Sequence, residues 1–299
     1  MKISVFITTY NHENYIAQCL ESILAQQGDF QLEVIVGDDC STDNNRRIIE
    51  TYQQQYPNVI KPFPPGPNLR YRKNLKRCFL ACTGDYIAPC DGDDYWTDPN
   101  KLKKQVAFLE ENPRSPYCFN SSMLLFERDG STMQHVEQAK LTKAFITTEE
   151  LIMVNYIGHF SNCMYRAEVV RKIDPAIFDL NIADWLFNIA CSEFGPIGYI
   201  PEIMSVYRIR EKGIWSGKSE IDQLKKMMFA LPIYDGFLGR RFTRTFDKKR
   251  QQLKYQILRA RLSHNAFRQW LSRYPKIYET ARRFKRRVSK SNNLEEQEN

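Results

Sequence analysis

The chain has 299 residues, 42% of them hydrophobic and 26% charged, with a formal net charge of +8. That length admits one large or two modest domains, and the balance excludes a wholly disordered chain, a collagen and a small disulfide scaffold. No apolar run approaches the roughly 18 residues of a spanning helix, so no transmembrane segment is expected. The net charge hides an asymmetry. Residues 240 to 290 carry 18 Lys and Arg against Asp247 and Glu279, whereas residues 1 to 239 hold 25 basic and 30 acidic side chains. A mildly acidic body and a strongly basic segment need separate explanations.

Residues 3 to 8, ISVFIT, are a continuous apolar run suited to a strand covered on both faces. The opening MKISVFITTYNHENY turns polar at once and lacks a small-residue cleavage site, so it reads as that strand and not as a signal peptide. Ile16, Cys19, Leu20, Ile23 and Leu24 recur at helical spacing, with Gly28 the expected C-cap. LEVIVG (32 to 37) predicts a second buried strand, and Ser41 to Asp43 are expected to cap a helix through RRIIETYQQQY. A short extended piece follows over 59 to 61, and KPFPPGPNLR must be a loop. A helix over 72 to 81 leads to the strand DYIAP, which ends in CDGDDYWTDPNKL. This alternation predicts a doubly wound α/β unit over the first hundred residues. Residues 101 to 111 read as a helix. Residues 115 to 235 are mixed, with strands near YCFNSSMLLF, GHFSNCMYR and GPIGYIP, and residues 240 to 288 read as mostly helical. The eight cysteines show no metal-type pairing, so reduced buried thiols in a cytosolic protein are expected.

Three polar clusters fall at strand ends, where open α/β sheets bind ligands. They are Thr8-Thr9-Tyr10-Asn11, Asp38-Asp39 and Asp91-Gly92-Asp93-Asp94. Neither GxGxxG nor GxxxxGK[ST] follows the first strand, which argues against a Rossmann dehydrogenase and a P-loop NTPase. Carboxylates at i and i+2 on a tight turn can reach one hard cation, Mg²⁺ or Mn²⁺, shared with a phosphate-bearing ligand. The intervening Gly92 would let that ligand approach the backbone. An isolated DxD is more simply an acidic surface turn. Here the turn ends an apolar strand, Tyr95-Trp96 and Pro99 follow, and a cation would offset the mutual repulsion of the carboxylates. Asp184, between Ala183 and Trp185, reads by itself as a helix-start or buried structural carboxylate; partial burial would raise its pKa.

The stretches ITTYNHENYIAQCLESILAQ, VIVGDDCSTDN, GDYIAPCDGDDYWTDPNKL, NIADWLFNIACSEFGPIGYIPEIMSVYR and GIWSG, spanning residues 3 to 217, are similar to those of family 2 glycosyltransferases. That family has the GT-A fold, uses nucleotide sugars and inverts the anomeric centre. The resemblance implies an α/β, Rossmann-like mixed sheet flanked by helices. The donor-binding half would be 1–100, the acceptor-binding half 101–235, and a basic helical extension with a disordered end 236–299. It implies that Thr8 and Tyr10 line the base pocket, Tyr10 against the ring, and that Asp39 accepts a hydrogen bond from the base. N3–H of uracil or thymine could donate it, which favours a UDP- or dTDP-sugar. Asp91 would face ribose and metal, Asp93 would ligate Mn²⁺ or Mg²⁺ directly, and Asp94 would orient its neighbours. Asp184 matches the catalytic base, and Tyr207-Arg208 matches a pair near the diphosphate, with a surface salt bridge the equal alternative for Arg208. Asn11, Arg72, Asn74, His159 (with Ser161 and Asn162) and Trp215 are secondary candidates for donor or acceptor contacts.

Two departures matter. Arg210 stands where many relatives carry a His that can ligate the metal, and a guanidinium cannot ligate. The QxxRW motif of processive synthases is absent, which favours transfer of one sugar per acceptor. The expected acceptor is a cell-surface glycan, lipopolysaccharide or lipid-linked precursor. Of the rival classes, a nucleotidyltransferase would want a Gly-rich, Lys/Arg-bearing triphosphate loop that is missing. An inactive binding module is opposed by the intact Asp39, Asp91, Asp93 and Asp184. The basic segment could pack on the body with a solvated face, lie on an anionic membrane, or bind nucleic acid. Membrane attachment with partial packing ranks first, placing the enzyme on the cytoplasmic face of the inner membrane. Nucleic acid ranks last, because the acidic body would oppose a long footprint.

Overall fold

The computed structural model describes residues 1–180, 184–211 and 217–261. In chain order these form β1 (Lys2–Thr9), α1 (Ile16–Leu24), β2 (Gln31–Asp38), α2 (Asn45–Gln55), β3 (Ile60–Pro62), α3 (Arg70–Ala81) and β4 (Tyr86–Asp91). Then come β5 (Tyr95–Trp96), α4 (Lys101–Glu111), β6 (Tyr117–Phe126), β7 (Thr132–Gln134), α5 (Val136–Ala139), β8 (Phe145–Ile146) and α6 (Thr148–Met153). The last are β9 (Cys163–Arg166), α7 (Ala167–Val170), α8 (Asp184–Ser192), β10 (Ile197–Ile209), α9 (Glu220–Phe237) and α10 (Thr243–Arg261).

The strands make one mixed sheet in the order β3-β2-β1-β4-β9-β6-β10-β5, with β7 on β6 and β8 on β10. β3, β2, β1 and β4 run parallel, β9 runs antiparallel between β4 and β6, and β10 is parallel to β6. The carboxyl ends of β1, β2, β4, β6 and β10 therefore share one edge of the sheet. The chain leaves β1 for β2 and β3, then returns to β4 on the other flank of β1. A crevice opens at such a reversal, outside the carboxyl ends of the two diverging strands.

The apolar run of β1 is buried because both faces are covered. Ile3, Val5 and Ile7 join Ile16, Leu20 and Ile23 of α1 in the core, while Phe6 meets Phe79 of α3 edge-on at 4.5 Å. Each such aliphatic side chain contributes about 1.5–3 kcal/mol on burial. The expected halves, 1–100 and 101–235, both feed this one sheet. Two compact units are distinguished among the described residues: 1–218 with 230–249, which hold the whole sheet, and 219–229 with 250–261. Within the second, Ser219 Oγ accepts the Asp222 N–H near the start of α9.

Several boundaries differ from the sequence reading. Gly28 does not cap α1, which ends at Leu24; Gln27 N–H bonds to the Pro99 carbonyl and draws the chain away first. At α2 the N-cap is Asn44, one residue beyond the expected stretch and without a side-chain cap bond, though Asp43 just before it accepts the Asn45 N–H at 3.0 Å. The strand read as GPIGYIP continues to Ile209. Pro201 looked like its end, but register shifts between Ile200 and Ser205 absorb it, as bulges do. Among the described residues no helix is long and apolar enough to cross a membrane. Seven cysteines are buried and Cys40 is exposed.

Candidate active site

Thr8 and Asp91 are register partners across β1 and β4, at the mouth of the crevice. The Thr8 hydroxyl donates to Asp91 Oδ1 at 2.5 Å, and Gly92 N–H donates to the Thr8 carbonyl at 2.9 Å. Gly92 is needed here for a reason the sequence did not show. A Cβ would lie 2.7 Å from Thr9 Cβ and 3.1 Å from His12 Nδ1, so protein packing by itself already excludes a side chain. Asp94 is buried and braces the turn from within. It accepts from Ser161 Oγ at 2.5 Å and from Arg208 N–H at 3.0 Å, while Arg208 Nε donates to the Asp93 carbonyl at 2.8 Å. Burial, then the repulsion of Asp94 and Asp93, pushes the Asp91 carboxyl from 3.8 to about 8. Burial and Asp93 push Asp94 well above its ordinary value too. Like charges this close cannot all ionise without a compensating cation.

Asp93 has such a cation already. Arg210 Nη2 lies 2.6 Å from its Oδ2 and 2.9 Å from His12 Nε2. Burial, reinforced by Arg210, outweighs Asp93 and lowers the His12 pKa, so the ring is neutral and Nε2 accepts from the guanidinium. The 3.8 Å contact between His12 and Asp93 is accordingly not an ion pair. The sequence reading passed over His12, although it lies in the loop that leaves β1 at the ligand-binding edge.

Asp184 opens α8 and takes the Trp185 N–H on Oδ1 at 2.8 Å. Trp185 is anchored in turn by its indole N–H on the Leu151 carbonyl at 2.9 Å. Burial, then the charge of Asp91, raises the Asp184 carboxyl from 3.8 to about 7 against the opposing pull of that N–H. The structure thus brings Asp184 within electrostatic range of Asp91, ninety-three positions away. Tyr71, at the start of α3, feels Asp91 and Asp184, and burial with these charges holds its hydroxyl well above 10. The sequence reading named Arg72 beside it and missed Tyr71. Tyr207 stacks on His159 at 4.8 Å and 16°. His159 is buried, and burial lowers its pKa to about 3, so its 3.6 Å approach to Asp94 joins a neutral ring to a carboxyl group.

The remaining candidates divide. Tyr10 is 45% exposed just beyond β1, its ring open to a stacking partner. Asn11, at φ 55°, accepts the Thr42 N–H at 2.8 Å and donates its own N–H to Ser41, tying two crevice loops together. Asn tolerates that left-handed backbone. Asp39 is buried; its Oδ1 accepts the Leu69 N–H at 2.7 Å and its carbonyl takes Asn68 Nδ2, which pins the Pro/Gly-rich loop. Asn74 turns both polar ends into the fold, donating to the Gly37 carbonyl and accepting from Arg77 Nε, each at 2.7 Å. Arg72 donates to the Asp179 carbonyl at 2.6 Å. Arg208 also donates to Gln18 Oε1 and covers the rings of Tyr15 and Tyr95. Trp215 lies outside the described residues.

Among the described residues no three His, Cys, Asp or Glu side chains converge on one metal position. Asp91 and Asp93 both offer hard oxygen donors. Two carboxylates with phosphate oxygens and water completing the shell is the arrangement Mg²⁺ and its like accept, so the donor set fits a divalent cation.

Residues 4–174 match the model of glycosyl transferase family 2, and the chain belongs to that family. It is 34% identical over 213 residues to an uncharacterized protein of Mycobacterium bovis, covering 71% of this chain and 60% of that protein. The chain thus spans about 60% of the length of that relative. In fold it is similar to Staphylococcus aureus TarS, residues 1–349, solved with UDP-GlcNAc. The TM-score there is 0.58 with 20% identity, over 81% of this chain and 73% of that one. It is also similar to the mannosyltransferase PcManGT of Pyrobaculum calidifontis, solved with GDP-Man and Mn²⁺. That TM-score is 0.59 with 18% identity, over 88% and 75%. The mixed α/β sheet is therefore of the GT-A type.

Proposed function

We propose that this chain transfers one sugar from a nucleoside-diphosphate sugar to a hydroxyl of a cell-surface glycan or lipid-linked acceptor, with inversion. The observation that carries this reading is Asp184, a carboxyl titrating near 7 that shares the crevice with Asp91 and Asp93. A general base works best with a pKa close to the operating pH. Tyr10 stacks on the base, Asp39 and Thr8 line its pocket, and Asp91 faces the ribose. UDP- or dTDP-sugars are favoured through Asp39. Asp91 and Asp93 would hold Mn²⁺ or Mg²⁺, which would supply positive charge to the departing diphosphate. Asp184 takes the acceptor proton, and the freed oxygen attacks the anomeric carbon from the face opposite the nucleotide. Asp94, braced by Ser161, keeps the turn in place. His159 and Tyr207 form the wall beside it.

The basic residues between 240 and 290 attach the enzyme to the cytoplasmic face of an anionic membrane, near a lipid-linked acceptor. Flotation with anionic liposomes, with and without residues 240–299, tests this; equal binding by both forms discards it. For the chemistry, a donor-hydrolysis screen across nucleotide sugars with and without Mn²⁺ identifies the donor. Asp93→Ala and Asp184→Asn are each expected to abolish transfer in a folded protein. Full activity in both variants refutes the assignment.

A further inference from the structure

Within the DGDD turn, Asp93 is the carboxylate paired with a side-chain cation. The Thr8 hydroxyl serves Asp91, and Ser161 with the Arg208 N–H serves Asp94. The Arg210 guanidinium rests 2.6 Å from Asp93 Oδ2 in a position set by two further contacts. Its Nη2 is 2.9 Å from His12 Nε2, and it covers the Tyr15 ring at 5.3 Å. His12 is seated by Gly92, where a Cβ would come within 3.1 Å of Nδ1. A divalent ion drawn to Asp93 meets a fixed positive charge on the oxygen it would ligate. The two arginines of the β10 end differ in kind. Arg208 is spent on the Asp93 carbonyl, Gln18 and two aromatic rings. Arg210 holds a carboxylate, a partner that a guanidinium exchanges readily for a phosphate because the same planar fork serves both.

We propose that Arg210 is a resident counter-ion that suppresses divalent-metal binding to the nucleotide-free chain and is drawn from Asp93 by the donor diphosphate, so that metal and diphosphate bind as a coupled pair. This rests on the reading of Asp91 and Asp93 as the metal-holding pair and adds what sets their affinity. The coupling is electrostatic. The diphosphate brings negative charge that satisfies the guanidinium, and the vacated Asp93 oxygen then accepts the cation. Linkage makes the effect reciprocal, so Mn²⁺ tightens nucleotide binding by the same factor. Where an imidazole at this position could ligate the metal itself, a guanidinium makes the metal wait for the donor.

The test is Mn²⁺ binding to the full chain, read from the free-ion EPR signal, alone and with saturating UDP or GDP. Wild type is expected to bind Mn²⁺ weakly alone and about tenfold tighter, or more, with nucleotide. Arg210→Gln should bind Mn²⁺ alone about tenfold tighter than wild type and lose most of the nucleotide effect. Arg210→Lys, which keeps the charge, should stay weak. Asp93→Asn added to Arg210→Gln should remove the gain, and Arg210→Met is a second neutral variant if Gln impairs folding. Equal nucleotide-free affinity in wild type and the neutral variants, with nucleotide tightening both, overturns the role of Arg210 and leaves the metal pair standing. Absence of Mn²⁺ binding in every form, with or without nucleotide, overturns both.

Discussion

Replacing Asp184 by Asn is expected to make the protein more stable and inactive at once. The carboxyl is raised from 3.8 to about 7, chiefly by burial and then by Asp91. Three units at about 1.4 kcal/mol each is about 4 kcal/mol of strain in the ionised form. Water at this half-buried position screens part of it, so a gain of roughly 2 kcal/mol is a fair expectation for the variant. The sign follows from linkage. The folded state holds the proton more tightly than the unfolded chain, so the wild type is favoured at low pH and loses that advantage as pH rises from about 4 through 7. Asn cannot ionise, and its carbonyl oxygen can still accept the Trp185 N–H. The two proteins should therefore melt alike near pH 4, and the variant should melt about 4–8 °C higher at pH 8. Thermal melts in a pH series measure this, and parallel transfer assays should show a loss of about 10²–10⁴. A variant that melts lower than wild type at pH 8 refutes the argument, because the carboxylate would then be a structural partner and not a strained base.

Wild-type kcat/KM should rise with pH on an acid limb centred near 7, the value of the Asp184 carboxyl, and a limb below pH 5 counts against that assignment. Gly92→Ala should lower both activity and stability, by about 1–3 kcal/mol, since the new Cβ strikes Thr9 and presses on His12; wild-type unfolding in urea contradicts the packing account. Ser161→Ala removes the hydroxyl that braces Asp94 and should reduce kcat with little change in donor KM. Tyr10→Ala should do the reverse, raising donor KM about fivefold or more by loss of ring–base stacking and leaving kcat near wild type.

How much of this was legible depends on how local each signal is. The strand at β1, the helix α4 and the strand β6 follow from runs and periods within ten or so residues, and the structure places them where those patterns predict. The crevice was legible because Thr8, Asp39 and Asp91 each end an apolar strand. The contacts that give the site its electrostatics were not. Arg210 and His12 are 198 positions apart, and no local pattern links them. Tyr71 sits at the entry of a helix whose amphipathic pattern says nothing about two aspartates from distant strands and helices. Asp94 was expected to orient its neighbours, but the sequence does not say through which partner. Only the arrival of Ser161 from 67 positions away shows it to be an internal brace.

The irregularity in β10 between Ile200 and Ser205 separates two tasks carried by a single strand. Before it, Ile197 and Tyr199 are buried in the sheet's interior; after it, Tyr207 and Arg208 alternate toward His159 and toward the DGDD turn. Side chains on a strand change face with every residue, so removing or adding one residue there would exchange those two positions without disturbing the half already packed. The bulge is thus a phase setter. It lets the end of the strand that faces the crevice be re-indexed independently of its foundation, which is a cheap route by which a sheet of this kind could acquire a new ligand preference.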